Sequence, residues 1–242
     1  RVIHRLNDDR KVKARGGFRM EWLREAESET LSTGLFNSRR LSGGAEVEQA
    51  LFGKLNARAG YDYFTMRYPN YASLASDPKF QEAGLAAAAG KNLLDYNTHE
   101  PFFEIAWKAS DLLIGRVGYD LALKSFSDQF IVTETGGFSG AKRSDQVHQA
   151  TVSGTVAPEG MQASVGYTFQ WYKSTQNAFD AGRTLYTPAY YDFQEHRVTP
   201  SVVLGLGREG RTFSLWSEMA FRKYTERLSQ DSTGAYVSGE KL

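Results

Sequence analysis

Charged side chains in this 242-residue chain recur at every second position, facing apolar ones across the same stretch. Lys13, Arg15, Arg19 and Glu21 alternate with Val12, Ala14, Gly16, Phe18 and Met20. Arg58 and Asp62 alternate with Ala57, Ala59, Tyr61 and Tyr63, and Arg116, Asp120 and Lys124 with Leu113, Val117, Tyr119 and Leu121. Glu46 and Glu48, Glu104 and Lys108, and Glu218 and Arg222 fall into the same pattern. A period of two sends the two sets to opposite faces of a β-strand. Both signs recur at similar depth on successive strands, which allows two chemistries. One is a hydrated path whose wall charges steer a polar solute. The other is cross-strand ion pairing that fills a narrow interior.

Covalent chemistry has weaker support. His99, His148 and His196 are expected at the loop-side ends of strands, with Ser144 and Asp145 near His148 and Glu195 beside His196. A hydrolase needs His with a nucleophile and an acid, but no nucleophile-elbow spacing is present. Solvated rim histidines are the simpler expectation, and no catalytic residue is assigned. The chain has no cysteine and no His-x-x-x-His pair, so neither a metal nor a cofactor is expected. Gly136-Gly137 and Gly205-Leu206-Gly207 lack the strand-to-helix setting of a phosphate cradle. A net charge of +1 argues against a nucleic-acid partner.

The elements that must position these residues are strands. Met161, Ala163, Val165, Tyr167, Phe169 and Trp171 alternate with Gln162, Ser164, Gly166, Thr168 and Gln170. About ten strands are expected, at 1–6, 11–25, 40–51, 54–68, 101–109, 112–126, 147–157, 161–173, 196–207 and 211–226. Tight turns at Asn7 to Arg10, Phe52 to Lys54, Ser110-Asp111, Ala157 to Gly160 and Gly207 to Gly210 join them in hairpins. Long polar loops are expected on the other side, at 28–40, 69–98, 127–146 and 174–195; the second has room for a short helix within 82–94. One domain covers residues 1–242. No run of about 18 apolar residues is present, a test to which alternating strands are blind.

Alternating faces, short turns on one side and long loops on the other resemble the bacterial outer-membrane β-barrel proteins as a class. The resemblance implies an all-β, antiparallel up-and-down transmembrane barrel in the outer membrane, in contact with its lipid. It further implies a channel or transporter passing a polar small molecule or polymer. The alternatives are a scaffold that binds a partner protein through its loops, and a hydrolase with a rim histidine. A soluble lipocalin-like barrel or β-sandwich would instead require a polar outer face. Aromatics at Tyr68, Tyr71, Phe102, Phe103, Trp107, Trp171, Tyr172 and Tyr224 are expected near the loop-side strand ends. The ending Gly239-Glu240-Lys241-Leu242 shows no further strand beyond 228–238, and the first strand has no partner before it. A segment of a larger barrel of roughly 12–16 strands is therefore expected.

Overall fold

The computed structural model describes all residues except 25–29, 31–33, 72–91, 180–184, 207–209 and 231–235. The architecture is all-β and antiparallel. Strands β1 (Val2–Arg5), β2 (Arg10–Glu21), β3 (Ser38–Leu51), β4 (Leu55–Arg67), β5 (Tyr96–Lys108), β6 (Leu113–Val132), β7 (Phe138–Val156) and β8 (Met161–Ser174) pair in sequence order. A small pair, β9 (Ala178–Phe179) with β10 (Tyr186–Thr187), interrupts the next loop. Then β11 (Phe193–Gly205) pairs β8 on one side, and β12 (Thr212–Trp216) and β13 (Met219–Tyr224) on the other. Among the described residues β1 bonds only β2, so the sheet is open.

Several expected boundaries move. Residues 127–146 are not a loop: β6 and β7 run on through register shifts to a turn at Thr133–Gly137, where Gly136 has φ +81°. β5 begins at Tyr96, so the loop expected at 69–98 ends earlier, and its expected helix lies largely outside the described residues. The strand expected at 211–226 breaks at Ser217 and Glu218, opposite Thr199 and Pro200. Proline cannot donate to the ladder there; its carbonyl accepts from the Ser217 N–H at 3.1 Å. Beyond 228 the chain does form further strand: β14 (Leu228–Gln230) pairs β15 (Tyr236–Lys241).

Four of the five tight turns sit where the sequence puts them, and the fifth, Gly207 to Gly210, lies largely outside the described residues. At the second, Phe52 and Gly53 carry φ values of 43° and 63°, a left-handed pair that reverses the chain between Leu51 and Leu55.

Large apolar side chains stay exposed on one face, including Phe18, Leu41, Phe103, Trp107, Val117, Val165, Phe213 and Phe221. The other face buries Glu46, Asp145 and Glu195, each at 3% exposure or less. This is the reverse of a soluble barrel, whose apolar residues would lie inside. Glycine gives the polar face room at one crowded point. Gly60 stands between Glu46 and Phe102, and a Cβ there would strike the Phe102 ring, the Ala45 carbonyl and Glu46. Gly154, on the apolar face, has open space around it. Gly60→Val should therefore cost about 1–3 kcal/mol through overpacking, and Gly154→Val should stay within about 0.5 kcal/mol. Denaturant unfolding of the two variants in lipid vesicles checks the difference.

Candidate functional site

The polar face is a continuous field of charge built on register. One cross-strand row runs Lys13, Glu46, Gly60, Phe102, Asp120, Gln149, Gln170, Glu195, Arg222 from β2 to β13. Every member belongs to the alternate set that the sequence assigns to one face.

Three carboxylates anchor this field, each holding more than one donor. Glu46 accepts from Lys13 at 2.9 Å and Arg15 at 2.6 Å, with Arg58 at 4.0 Å. Arg15 also grips Asp62 with both arms of its guanidinium. Lys13 reaches Glu48 as well, at 2.5 Å, and Arg58 reaches Glu104 at 3.4 Å. Glu195 accepts from Arg197 at 2.5 Å and Arg222 at 2.8 Å, and Arg197 lies 3.6 Å from Glu218. Asp145 is clasped by Arg143 at 2.8 and 2.9 Å, by Ser174 at 2.6 Å and by the Tyr172 hydroxyl. A buried carboxylate is tolerable only with its lone pairs satisfied in this way.

The remaining expected residues stand apart from these anchors. Arg19 and Glu21 pair with each other at 2.6 Å near the loop end, both well exposed. Lys108 pairs with Asp111 at 2.8 Å in a turn, where the ammonium holds the Asp111 carboxyl below its usual range. Lys124 lies 3.7 Å from the Tyr96 ring and 4.6 Å from Phe126, a cation–π setting. Arg116 lines a cavity of about 140 Å³ with Arg58, Glu104 and Asp120. Among the described residues Glu100 and Asp120 have no ion pair, and with Asp62 they line a larger cavity of about 380 Å³.

Sequence reading missed part of this set. Arg40, stacked 3.9 Å over Phe64, sits at a strand start, Glu100 falls between the expected loop 69–98 and the expected strand 101–109, and Arg143 falls in the expected loop that is really β7. An inward aromatic collar was missed too: Phe64, Tyr96 and Phe126, then Tyr172, Phe193 and Tyr224, with centroids 4.9–6.1 Å apart. Phe102, Tyr172 and Tyr224 therefore face the charges, while Trp107 lies at the turn end of β5. Asp192, outside the strands, is pushed above its usual range by burial although the Ser174 N–H donates to it.

The histidine constellations do not assemble. Asp145 faces the charges while His148 lies on the apolar face, where its Nδ1 meets the Tyr119 hydroxyl at 2.7 Å. Glu195 and His196 are likewise on opposite faces. Among the described residues no group of three potential metal ligands occurs.

No family model matches the chain, and no curated protein is similar to it in sequence. Solved structures do align with it. OmpT, an outer membrane protein of Vibrio cholerae, is 10% identical at a TM-score of 0.45, over 99% of this chain and 84% of its own. The copper transporter OprC is 11% identical at 0.41, over 95% of this chain and 35% of its own. FpvA of P. aeruginosa, solved bound to pyoverdine and iron, is 9% identical at 0.40, over 90% of this chain and 34% of its own. The chain thus spans about a third of the length of the last two. The alignments concern the arrangement of strands, at 9–11% identity.

Glu46→Gln should cost about 1–3 kcal/mol, because Lys13 and Arg15 lose a shared buried acceptor. Arg19→Gln breaks only an exposed pair and should cost about 0–1 kcal/mol. Equilibrium unfolding of both variants in detergent micelles measures the contrast.

Proposed function

We propose that this chain forms the wall of a bacterial outer-membrane barrel whose charged face lines a route for a polar solute. One observation carries the reading: the sheet separates charge by face, with Glu46, Asp145 and Glu195 buried on one side and Phe18, Phe103, Val117 and Phe221 exposed on the other. An apolar exposed face suits hydrocarbon, and a charged opposite face suits a water-filled interior.

The ion pairs of that face serve two purposes in this account. Multiply bonded carboxylates such as Glu46 and Glu195 hold the wall. Glu100 and Asp120, free of ion pairs among the described residues and beside a cavity of about 380 Å³, present negative charge to what passes. A passing cation, or a solute with a cationic group, is the species favoured there. A second reading, a binding role at the loop end, draws on the β6–β7 hairpin, whose 20- and 19-residue strands exceed every other in the sheet.

The test is conductance of the purified chain in a planar bilayer under a salt gradient. The expected result is a conducting pathway that prefers cations, with the preference reduced in the Glu100→Gln, Asp120→Asn double variant. A sealed bilayer at all protein densities would rule out passage through this wall and leave the binding role.

A further inference from the structure

Three of the four histidines of the apolar face, His99, His148 and His196, share one local arrangement; the fourth, His4 on β1, stands opposite Val12. The Tyr61 hydroxyl meets Nδ1 of His99, and Tyr119 and Tyr167 meet Nδ1 of His148 and His196 at 2.7 Å each. In every case the tyrosine stands directly opposite the residue two beyond the histidine: Pro101, Ala150 and Val198. Each imidazole also touches a second ring, Tyr63 at 5.0 Å, Trp171 at 5.5 Å and Phe169 at 5.2 Å.

The pattern continues toward the loop end. Two residues before each of these three histidines, on the same face, is an amide: Asn97, Gln146 and Gln194. Each amide has a cation at its side. Arg67 bonds Asn97 at 2.9 Å, Lys173 is the cross-strand partner of Gln146, and Lys223 that of Gln194. A fourth cation, Arg39, stands directly opposite Arg67. Arg67 lies 3.7 Å from Asp95; among the described residues Arg39, Lys173 and Lys223 have no ion pair.

Two facts make this band more than an aromatic trim. No Asp or Glu occupies an apolar-face position in any ladder from β1 to β13, so the charges of that face are cationic. Like charges directly opposite each other, as Arg39 and Arg67 are, repel unless an anion lies between them. Below the band the face is apolar, and within it each tyrosine hydroxyl bonds the Nδ1 of an imidazole. That pairing matters where water thins out and an unbonded polar group would be costly.

We propose that this band docks the phosphate groups of lipids in the leaflet at the loop end, with the cations on the phosphates and the Tyr–His pairs at the edge of the hydrocarbon. The proposal rests on the reading that the apolar face meets a membrane.

The full chain in phosphatidylcholine vesicles, doped with brominated phosphatidic acid or brominated phosphatidylcholine, provides the test through tryptophan quenching. The wild-type chain should select the phosphate-monoester lipid. The Arg39→Gln, Lys173→Gln, Lys223→Gln variant should lose roughly fivefold of that preference per cation, with quenching by brominated phosphatidylcholine unchanged as the sign of intact insertion. Millimolar inorganic phosphate should not compete. Equal preference in wild type and variant would overturn the proposal, and competition by free phosphate would reassign the band to a soluble anion. Absence of quenching by either lipid would instead overturn the membrane reading itself.

Discussion

One sheet with an apolar exposed face and a charged opposite face is the constraint on which everything else depends. Each of β2 to β8 and β11 pairs with neighbours on both sides, so its backbone donors and acceptors are consumed in the ladder. Only side chains are left to meet the surroundings, and the pleat divides them strictly in two. The apolar half carries Phe103, Val117 and Val165 outward; the polar half must then accommodate many charges in a confined space. A charge buried without a partner there would be prohibitive. Glu46, Asp145 and Glu195 answer this by accepting from several donors apiece.

The polar face is accordingly graded. Toward the turn end it is a lattice of carboxylates and guanidiniums that ties β2, β3, β4 and β5 together. Toward the loop end cations rest on aromatic rings: Arg40 on Phe64, Lys124 on Tyr96, Arg143 on Phe126 and Arg222 on Phe193. Between the two lie Glu100 and Asp120, acids without an ion pair among the described residues. On the proposed reading, a wall of this kind keeps its rigid charges fixed and leaves a few accessible to a solute.

The alternation was legible in the sequence because it is a property of side chains alone. Every lumen candidate on a paired strand, from Lys13 and Arg15 to Arg222, lies on the charged face. Alternation fades wherever both faces meet polar surroundings. Residues 127–146 show no apolar stripe, yet they continue β6 and β7, held by contacts such as Gln176 to the Phe130 carbonyl and Asn177 to the Val132 carbonyl. Such long-range bonds leave no local mark in sequence. The early parts of β3, β5 and β7, which hold Arg40, Glu100 and Arg143, are hard to read for a related reason: polar composition there imitates a loop. The His–Tyr pairs span 29 to 38 residues, and only the cross-strand register reveals them.

The central claim, that the apolar face meets lipid and the charged face meets water, can be tested along a single strand. The chain has no cysteine of its own, so single spin-labelled cysteines at positions 116 to 121 of β6 report without background. The account predicts strict alternation: labels at Val117, Tyr119 and Leu121 are relaxed by oxygen dissolved in the bilayer, and labels at Arg116, Gly118 and Asp120 by a water-soluble nickel chelate. Uniform accessibility along the strand, or alternation of the opposite phase, would contradict it.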